Sequence, residues 1–193
     1  GVETGRSHRL WLEYFPNATI YGFDIFKFGV DEFHRLQEGN PNLDRSIMFE
    51  GDQENVDDLE RFLSEHGEDF DIIIDDGGHT MRQQQISMGV LFQSVKSGGH
   101  YVIEDLHTCS GEWPSLYGYR TINDGDTLTT DLLKSIANKD DSVRETNYLT
   151  RDVLDYIRDN TKSCRIEIGK ENYTNPKGYT YQWPTTISFM EKK

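Results

Sequence analysis

The sequence is poor in cysteine, in basic side chains and in long apolar runs. Its two cysteines, Cys109 and Cys164, stand far apart and form no CxxC pair. That excludes a disulfide framework and suits a reducing compartment, so the expected location is the cytoplasm. Lys and Arg number 20 against 34 Asp and Glu, a net charge of −14. Nucleic acids and anionic membrane surfaces attract an excess of cations, so neither is an expected partner. No apolar stretch approaches the ~20 residues needed to cross a bilayer. Hydrophobic residues are only 35% of the chain, but 12% aromatic residues argue against disorder. At 193 residues the chain fits one domain able to bury a core.

What is present is an alternation of short apolar runs with amphipathic stretches. Strands are predicted at Ala18–Ile25, Ser46–Glu50, Phe70–Asp75 and His100–Glu104. Helices are predicted at His8–Phe15, Asp31–Glu38, Val56–Glu65 and Met81–Val95, the last capped by Thr80 and stopped by Ser97-Gly98-Gly99. The third run, Phe70-Asp-Ile-Ile-Ile-Asp75, is apolar almost throughout, as in strands covered on both faces. This rhythm predicts an α/β fold: a Rossmann-like, doubly wound, mostly parallel sheet with helices on both faces. The second half adds helices near Thr129–Asn138 and Thr150–Asn160 and late strands near Cys164–Gly169 and Thr186–Glu191. The Gly/Pro/aromatic stretch Lys170–Pro184 between those strands reads as a long loop.

In open α/β sheets, ligands bind beyond the carboxyl ends of the strands. The turn Gly1-Val-Glu-Thr-Gly5-Arg-Ser7 offers glycines for close backbone approach, and Ser7 suits a helix N-cap. Asp24 ends the next strand about twenty residues on, where a carboxylate can accept both hydroxyls of a ribose. Gly51-Asp52-Gln53 follows, with Asp52 or its neighbour placed for an adenine amino group; Asp52 and Asn55 equally suit a helix cap. Asp75-Asp76-Gly77-Gly78-His79 and Glu104-Asp105 end the last two parallel strands. Four carboxylates in such places need cations or donors, and an all-oxygen set suits Mg²⁺, Mn²⁺ or Ca²⁺. His79 beside them is the natural base near neutral pH. His107 reads as structural or substrate-lining.

The ordered set Gly1-x-x-x-Gly5-x-Ser7, Tyr21-Gly-Phe-Asp24, Gly51-Asp52-Gln53, Ile74-Asp-Asp-Gly-Gly-His79 and Tyr101-Val-Ile-Glu-Asp-Leu-His-Thr108 resembles class I S-adenosylmethionine-dependent O-methyltransferases. The metal-dependent, mycinamicin-type enzymes acting on macrolide sugars match best, and Ile187-Ser-Phe-Met-Glu-Lys-Lys193 is similar to their last, antiparallel strand. The resemblance implies that Gly1, Gly5 and Ser7 surround the methionine part of S-adenosylmethionine. It implies that Asp24 holds the ribose and that Asp52 and Gln53 face the adenine. Asp76, Glu104 and Asp105 would ligate a divalent metal, expected to be Mg²⁺, with His79 as general base. Asp75 would be a cofactor contact or a supporting partner. The implied acceptor is a sugar or glycoside with neighbouring hydroxyls. The family more often has Ser where this chain has Gly78.

Three further expectations complete the reading. Trp113, Tyr117 and Tyr119, and the later Tyr173, Tyr179, Tyr181 and Trp183, suit either loop packing or stacking on a sugar ring. A catechol-type O-methyltransferase uses the same metal-bound diol and is the main alternative. A nicotinamide-dependent oxidoreductase is disfavoured by the missing GxGxxG. The chain opens inside what reads as the cofactor turn, so an apolar strand is expected upstream of Gly1. Residues 1–193 would then be a single methyltransferase domain, with room for a longer parent that carries it at its C-terminal end.

Overall fold

A computed structural model describes residues 1–109, 127–174 and 180–193 of the chain. They form two compact units, Gly1–His66 and Gly67–Lys193.

The first unit runs α1 (Arg6–Tyr14), β1 (Ile20–Asp24), α2 (Val30–Gln37), β2 (Ser46–Glu50) and α3 (Val56–His66). β1 and β2 pair in parallel, from Ile20 opposite Ser46 to Asp24 opposite Glu50. The core is largely aromatic. Phe23 stacks on Phe49 with ring centroids 5.4 Å apart, and Phe62 meets both rings edge-on. Leu12, Phe33, Leu59 and Leu63 are buried with them. Arg45 closes the open end of α1. Its guanidinium donates to the carbonyls of Leu12, Phe15 and Ala18 at 2.7–2.9 Å, satisfying acceptors that a helix end leaves bare.

α1 begins two residues earlier than its sequence suggests. Gly5, at φ 78°, is its N-cap and no side chain caps it, so Ser7 lies in the first turn and does not cap. The reason is local. Gly5 takes the left-handed conformation that closes the turn from Val2, and its carbonyl accepts the Arg9 N–H. A Cβ on Gly5 would fall 2.4 Å from the Phe33 ring, so packing as well as conformation requires glycine there.

The second unit runs β3 (Phe70–Asp75), α4 (Met81–Leu91), β4 (Val95–Ile103), α5 (Thr129–Asn138), α6 (Arg151–Asn160), β5 (Thr161–Thr174) and β6 (Thr180–Lys192). Its sheet has the order β3-β4-β6-β5. β3 and β4 are parallel, and β6 is antiparallel to both its neighbours. The α/β class, the parallel pairs and the antiparallel last strand are as expected. The core is aliphatic: Met88, Ile103, Leu106, Leu132, Leu133, Leu154, Ile157 and Met190 are fully buried around Phe92 and Tyr101.

Two expectations about this unit are overturned. The helix predicted to reach Val95 stops at Leu91, and a short 3₁₀ turn, Phe92–Ser94, leads into β4. Phe92 and Val95 continue the apolar spacing, but Val95 pairs with Phe70 as strand, and a register shift then brings His100 opposite Ile72. Pairing wins over periodicity here. Likewise Lys170–Pro184 is not one long loop: both its flanks extend β5 and β6, Lys170 opposite Pro184 through Thr174 opposite Thr180. Thr, Tyr and Trp favour extended backbone. Pro184 lies outside the Ser188–Glu191 segment that β4 pairs, where among the described residues β6 has one neighbour and proline is tolerated. Among the described residues no helix is long and apolar enough to cross a membrane.

Candidate active site

The parallel register of β3 and β4 sets Asp75 opposite Ile103, so the two strands end level. The Glu104 N–H then donates to the Asp75 carbonyl at 2.9 Å. Asp76 and His79 leave β3, and Glu104 and Asp105 leave β4, at the same end of the sheet. His79 Nε2 stands 3.5 Å from Asp105 Oδ2 and 4.0 Å from Asp76 Oδ1. One ligand atom each from Asp76, His79 and Asp105 lie within 4.8 Å of one another. Glu104 is outside that trio, yet its carboxyl is pushed up to about 7, first by burial and then by the negative charges of Asp76 and Asp105. Near neutral pH a proton on Glu104 thus supplies part of the counter-charge that the cluster needs. A divalent cation fits the same electrostatic demand. The donors are carboxylate oxygens with one imidazole, a set suited to a hard ion.

The backbone around this cluster is strained. His79 and Asp105 both hold positive φ, 58° and 52°, although neither is glycine. Each such residue costs on the order of 1–3 kcal/mol and persists only where its surroundings enforce it. Thr80 caps α4 through a reciprocal box: its hydroxyl accepts the Gln83 N–H, and Gln83 Oε1 accepts the Thr80 N–H, both at 3.1 Å. A Cβ on Gly78 would lie 2.1 Å from Gln83 Oε1. The Gln83 amide therefore stands where a serine side chain at 78 would begin.

Asp75 is buried and turned into the unit. The Ser87 hydroxyl donates to its carboxylate and the Tyr101 hydroxyl lies 3.5 Å away. Burial, with the Asp75 charge behind it, pushes the Tyr101 phenol well above its ordinary value. These contacts suit a supporting role. Sequence reasoning missed Ser87 and Tyr101. Their available signal was position: Ser87 follows the Thr80 cap by two helical turns, and Tyr101 sits in β4 beside the strand that carries Asp75. His107 is buried with Nδ1 3.7 Å from Asp105 Oδ1. Burial lowers its pKa, outweighing the attraction of Asp105, which leaves it a neutral neighbour of the cluster.

The first unit carries the other expected residues. Asp24 Oδ2 accepts the Val2 and Glu3 N–H groups at 2.6 and 3.0 Å, and Oδ1 accepts the Phe26 N–H at 2.7 Å. Burial would raise this carboxyl, but the three N–H donors win and hold it below the usual range. Asp24 and the Gly1–Gly5 turn are thus joined directly. Gly1 and Ser7 are exposed. Asp52 is exposed and its Oδ1 accepts the Glu54 N–H at 2.9 Å, while Asn55 caps α3 by accepting from Asp57. Gln53 is half-buried in the same turn. Trp113, Tyr117, Tyr119 and Tyr179 lie outside the described residues, and Tyr173, Tyr181 and Trp183 are described as strand backbone alone.

The chain is similar to known proteins. The chain is 39% identical over 135 residues to 8-demethyl-8-(2-methoxy-alpha-L-rhamnosyl)-tetracenomycin-C 3'-O-methyltransferase of Streptomyces olivaceus, covering 69% of this chain and 31% of that enzyme. It is 34% identical over 158 residues to mycinamicin VI 2''-O-methyltransferase of Micromonospora griseorubida, covering 78% and 36%. The chain therefore spans about a third of the length of the curated relatives it matches. No protein-family model matches it. Among solved structures, MycE methyltransferase from the mycinamycin biosynthetic pathway, in complex with Mg, SAH and mycinamycin VI, superimposes with a TM-score of 0.60. That match has 27% identity and covers 97% of this chain and 40% of that one. A SAM-dependent methyltransferase from Anabaena variabilis shares the fold alone, at 16% identity and a TM-score of 0.56. In sequence and in fold, over the stretch it spans, the chain is similar to the mycinamicin-type sugar O-methyltransferases.

Proposed function

We propose that the chain carries the cofactor turn and the catalytic cluster of an S-adenosylmethionine-dependent, Mg²⁺-dependent sugar O-methyltransferase. The observation that carries this reading is the convergence of Asp76, His79 and Asp105 at the ends of two parallel strands, with the Glu104 carboxyl beside them pushed up to about 7 by burial and by the charges of Asp76 and Asp105. Asp76, Glu104 and Asp105 would hold the cation. When bound, the cation supplies Lewis-acid polarisation of an acceptor hydroxyl, and S-adenosylmethionine supplies the methyl group.

The chain's own residues do the rest. His79 Nε2 takes the proton of the reacting hydroxyl as its oxygen bonds to the methyl carbon. S-adenosylmethionine, when bound, would supply a sulfonium methyl whose transfer to that oxygen leaves a neutral thioether. Asp105 and Asp76, within 4.0 Å of Nε2, stabilise the imidazolium that forms. In the first unit, Asp24 and the Gly1–Gly5 turn would receive the ribose and methionine parts of the cofactor, and Asp52 with Gln53 the adenine. Asp24 already accepts three backbone N–H groups out of about four acceptor positions. A ribose hydroxyl would therefore take its remaining position or displace one turn contact. The acceptor is a sugar or glycoside with neighbouring hydroxyls, so that one oxygen anchors while the other reacts.

A methyl-transfer screen tests this reading. Radiolabelled S-adenosylmethionine is offered with free sugars, glycosides and catechols, each with Mg²⁺ or with a chelator. Transfer to a glycoside in Mg²⁺ that the chelator abolishes is expected. Transfer at full rate in the chelator would remove the cation, and transfer to catechols alone would reassign the acceptor.

A further inference from the structure

Two of the clustered side chains, His79 and Asp105, stand on residues with left-handed backbone, and those residues are far apart in sequence. Something must hold both. The His79 carbonyl accepts a hydrogen bond that crosses between the two segments, from the Thr108 hydroxyl. Thr108 Oγ1 lies 2.7 Å from the His79 carbonyl oxygen and 2.8 Å from the Asp105 carbonyl oxygen. The Thr108 N–H also donates to the Asp105 carbonyl at 3.1 Å, closing the short 3₁₀ turn Leu106–Cys109. Leu106, in that turn, is fully buried in the aliphatic core, so the turn has a fixed base.

From this geometry we propose that Thr108 is a positioning residue: its hydroxyl, shared between the carbonyls of His79 and Asp105, sets the distance of the base from the cation-holding carboxylates. The inference rests on the cation and base roles proposed above. The local contact to Asp105 is one that any threonine three residues on in a tight turn can make. The contact to His79 is different, because it spans 29 residues and joins the β3 exit to the β4 exit. A carbonyl that points to Thr108 fixes the peptide plane between His79 and Thr80. That plane, with positive φ at His79, determines where the imidazole leaves the chain. On the other side, the same hydroxyl holds the Asp105 peptide whose side chain approaches His79 Nε2 to 3.5 Å. Outer contacts of this kind typically change metal affinity ten- to a hundredfold when lost.

The test compares Thr108→Val, which keeps the shape and loses the hydroxyl, with Thr108→Ser, which keeps the hydroxyl. Mn²⁺ is titrated as the probe ion by calorimetry. About a tenfold or larger loss of Mn²⁺ affinity is expected in Thr108→Val, with Thr108→Ser within about twofold of the parent. Should Thr108→Val not fold, Thr108→Ala reads the same loss. Wild-type-like Mn²⁺ binding in the hydroxyl-free variant overturns the proposal, as does an equal loss in Thr108→Ser. If the parent itself takes up no Mn²⁺, the cation reading fails, and a second measurement decides the clamp alone. In metal-free protein, Thr108→Val should shift the backbone carbonyl resonances of both His79 and Asp105, and Thr108→Ser neither. Unmoved resonances in Thr108→Val would show that the hydroxyl holds nothing.

Discussion

The two units treat their strand-end carboxylates in opposite ways. Asp24, at the end of β1, receives three backbone N–H groups from its own unit and is held below the ordinary carboxylate range. Glu104, just past β4, sits beside Asp76 and Asp105 and is pushed up to about 7. One carboxylate is completed by the fold; the other is left with like charges. The difference separates an anion that organises a turn from a group of like charges that a bound cation would neutralise. The cores differ as well, aromatic rings in the first unit and aliphatic side chains in the second.

The strongest way to break this contrast is His79→Ala. General-base loss should slow methyl transfer by about 10²–10⁴-fold, while Mn²⁺ still binds to the remaining carboxylates. Radiolabel transfer and calorimetry on the same variant read both, and near-normal turnover would end the base assignment. Next, Asp24→Asn should destabilise the protein by about 1–3 kcal/mol in chemical denaturation, because an amide cannot accept on both sides and would leave an N–H without its acceptor. Asp105→Asn should do the reverse in metal-free protein and raise stability slightly, since it removes a like charge. Equal behaviour of the two variants would erase the distinction.

A pH series sharpens the same point. Glu104 has a folded pKa raised from 4.5 to about 7. Its protonated form is the favoured one in the native state. That contribution is fully present below pH ~4.5 and is lost as pH rises through about 7. Metal-free protein should therefore lose about 1–2 kcal/mol over that window, after allowance for solvent screening of a half-buried group. Glu104→Gln should flatten the loss, and denaturation at several pH values reads it. The smallest effect concerns Gly78→Ser. The new side chain must displace the Gln83 amide, which costs the Thr80 N–H its acceptor and about 0.5–1 kcal/mol of stability.

Much of this was legible in the chain's spelling. Ser46–Glu50, Phe70–Asp75 and Thr129–Asn138 are the elements that their apolar spacing predicts. The Asp76–His79 and Glu104–Asp105 pairs could be placed at strand ends because parallel strands present their carboxyl ends to one side. Non-local pairing was not legible. Val95 spells the end of a helix until Phe70 claims it as strand, and the Lys170–Pro184 flanks spell a loop until each supplies the other's partner. Backbone signs were hidden too. Nothing in the letters of His79 or Asp105 announces a positive φ, and the Thr108 hydroxyl that bridges their carbonyls gains meaning only once the two segments meet. Ser7 looked like a cap, but the left-handed Gly5 started the helix first.

The central claim is that the carboxylates beyond β3 and β4 form one divalent-cation site. Mn²⁺ binding, counted by electron paramagnetic resonance in the parent and in Asp105→Asn, tests it most directly. One site is expected in the parent, with its loss or marked weakening in the variant. No bound Mn²⁺ in the parent, or an undiminished site in Asp105→Asn, would contradict it.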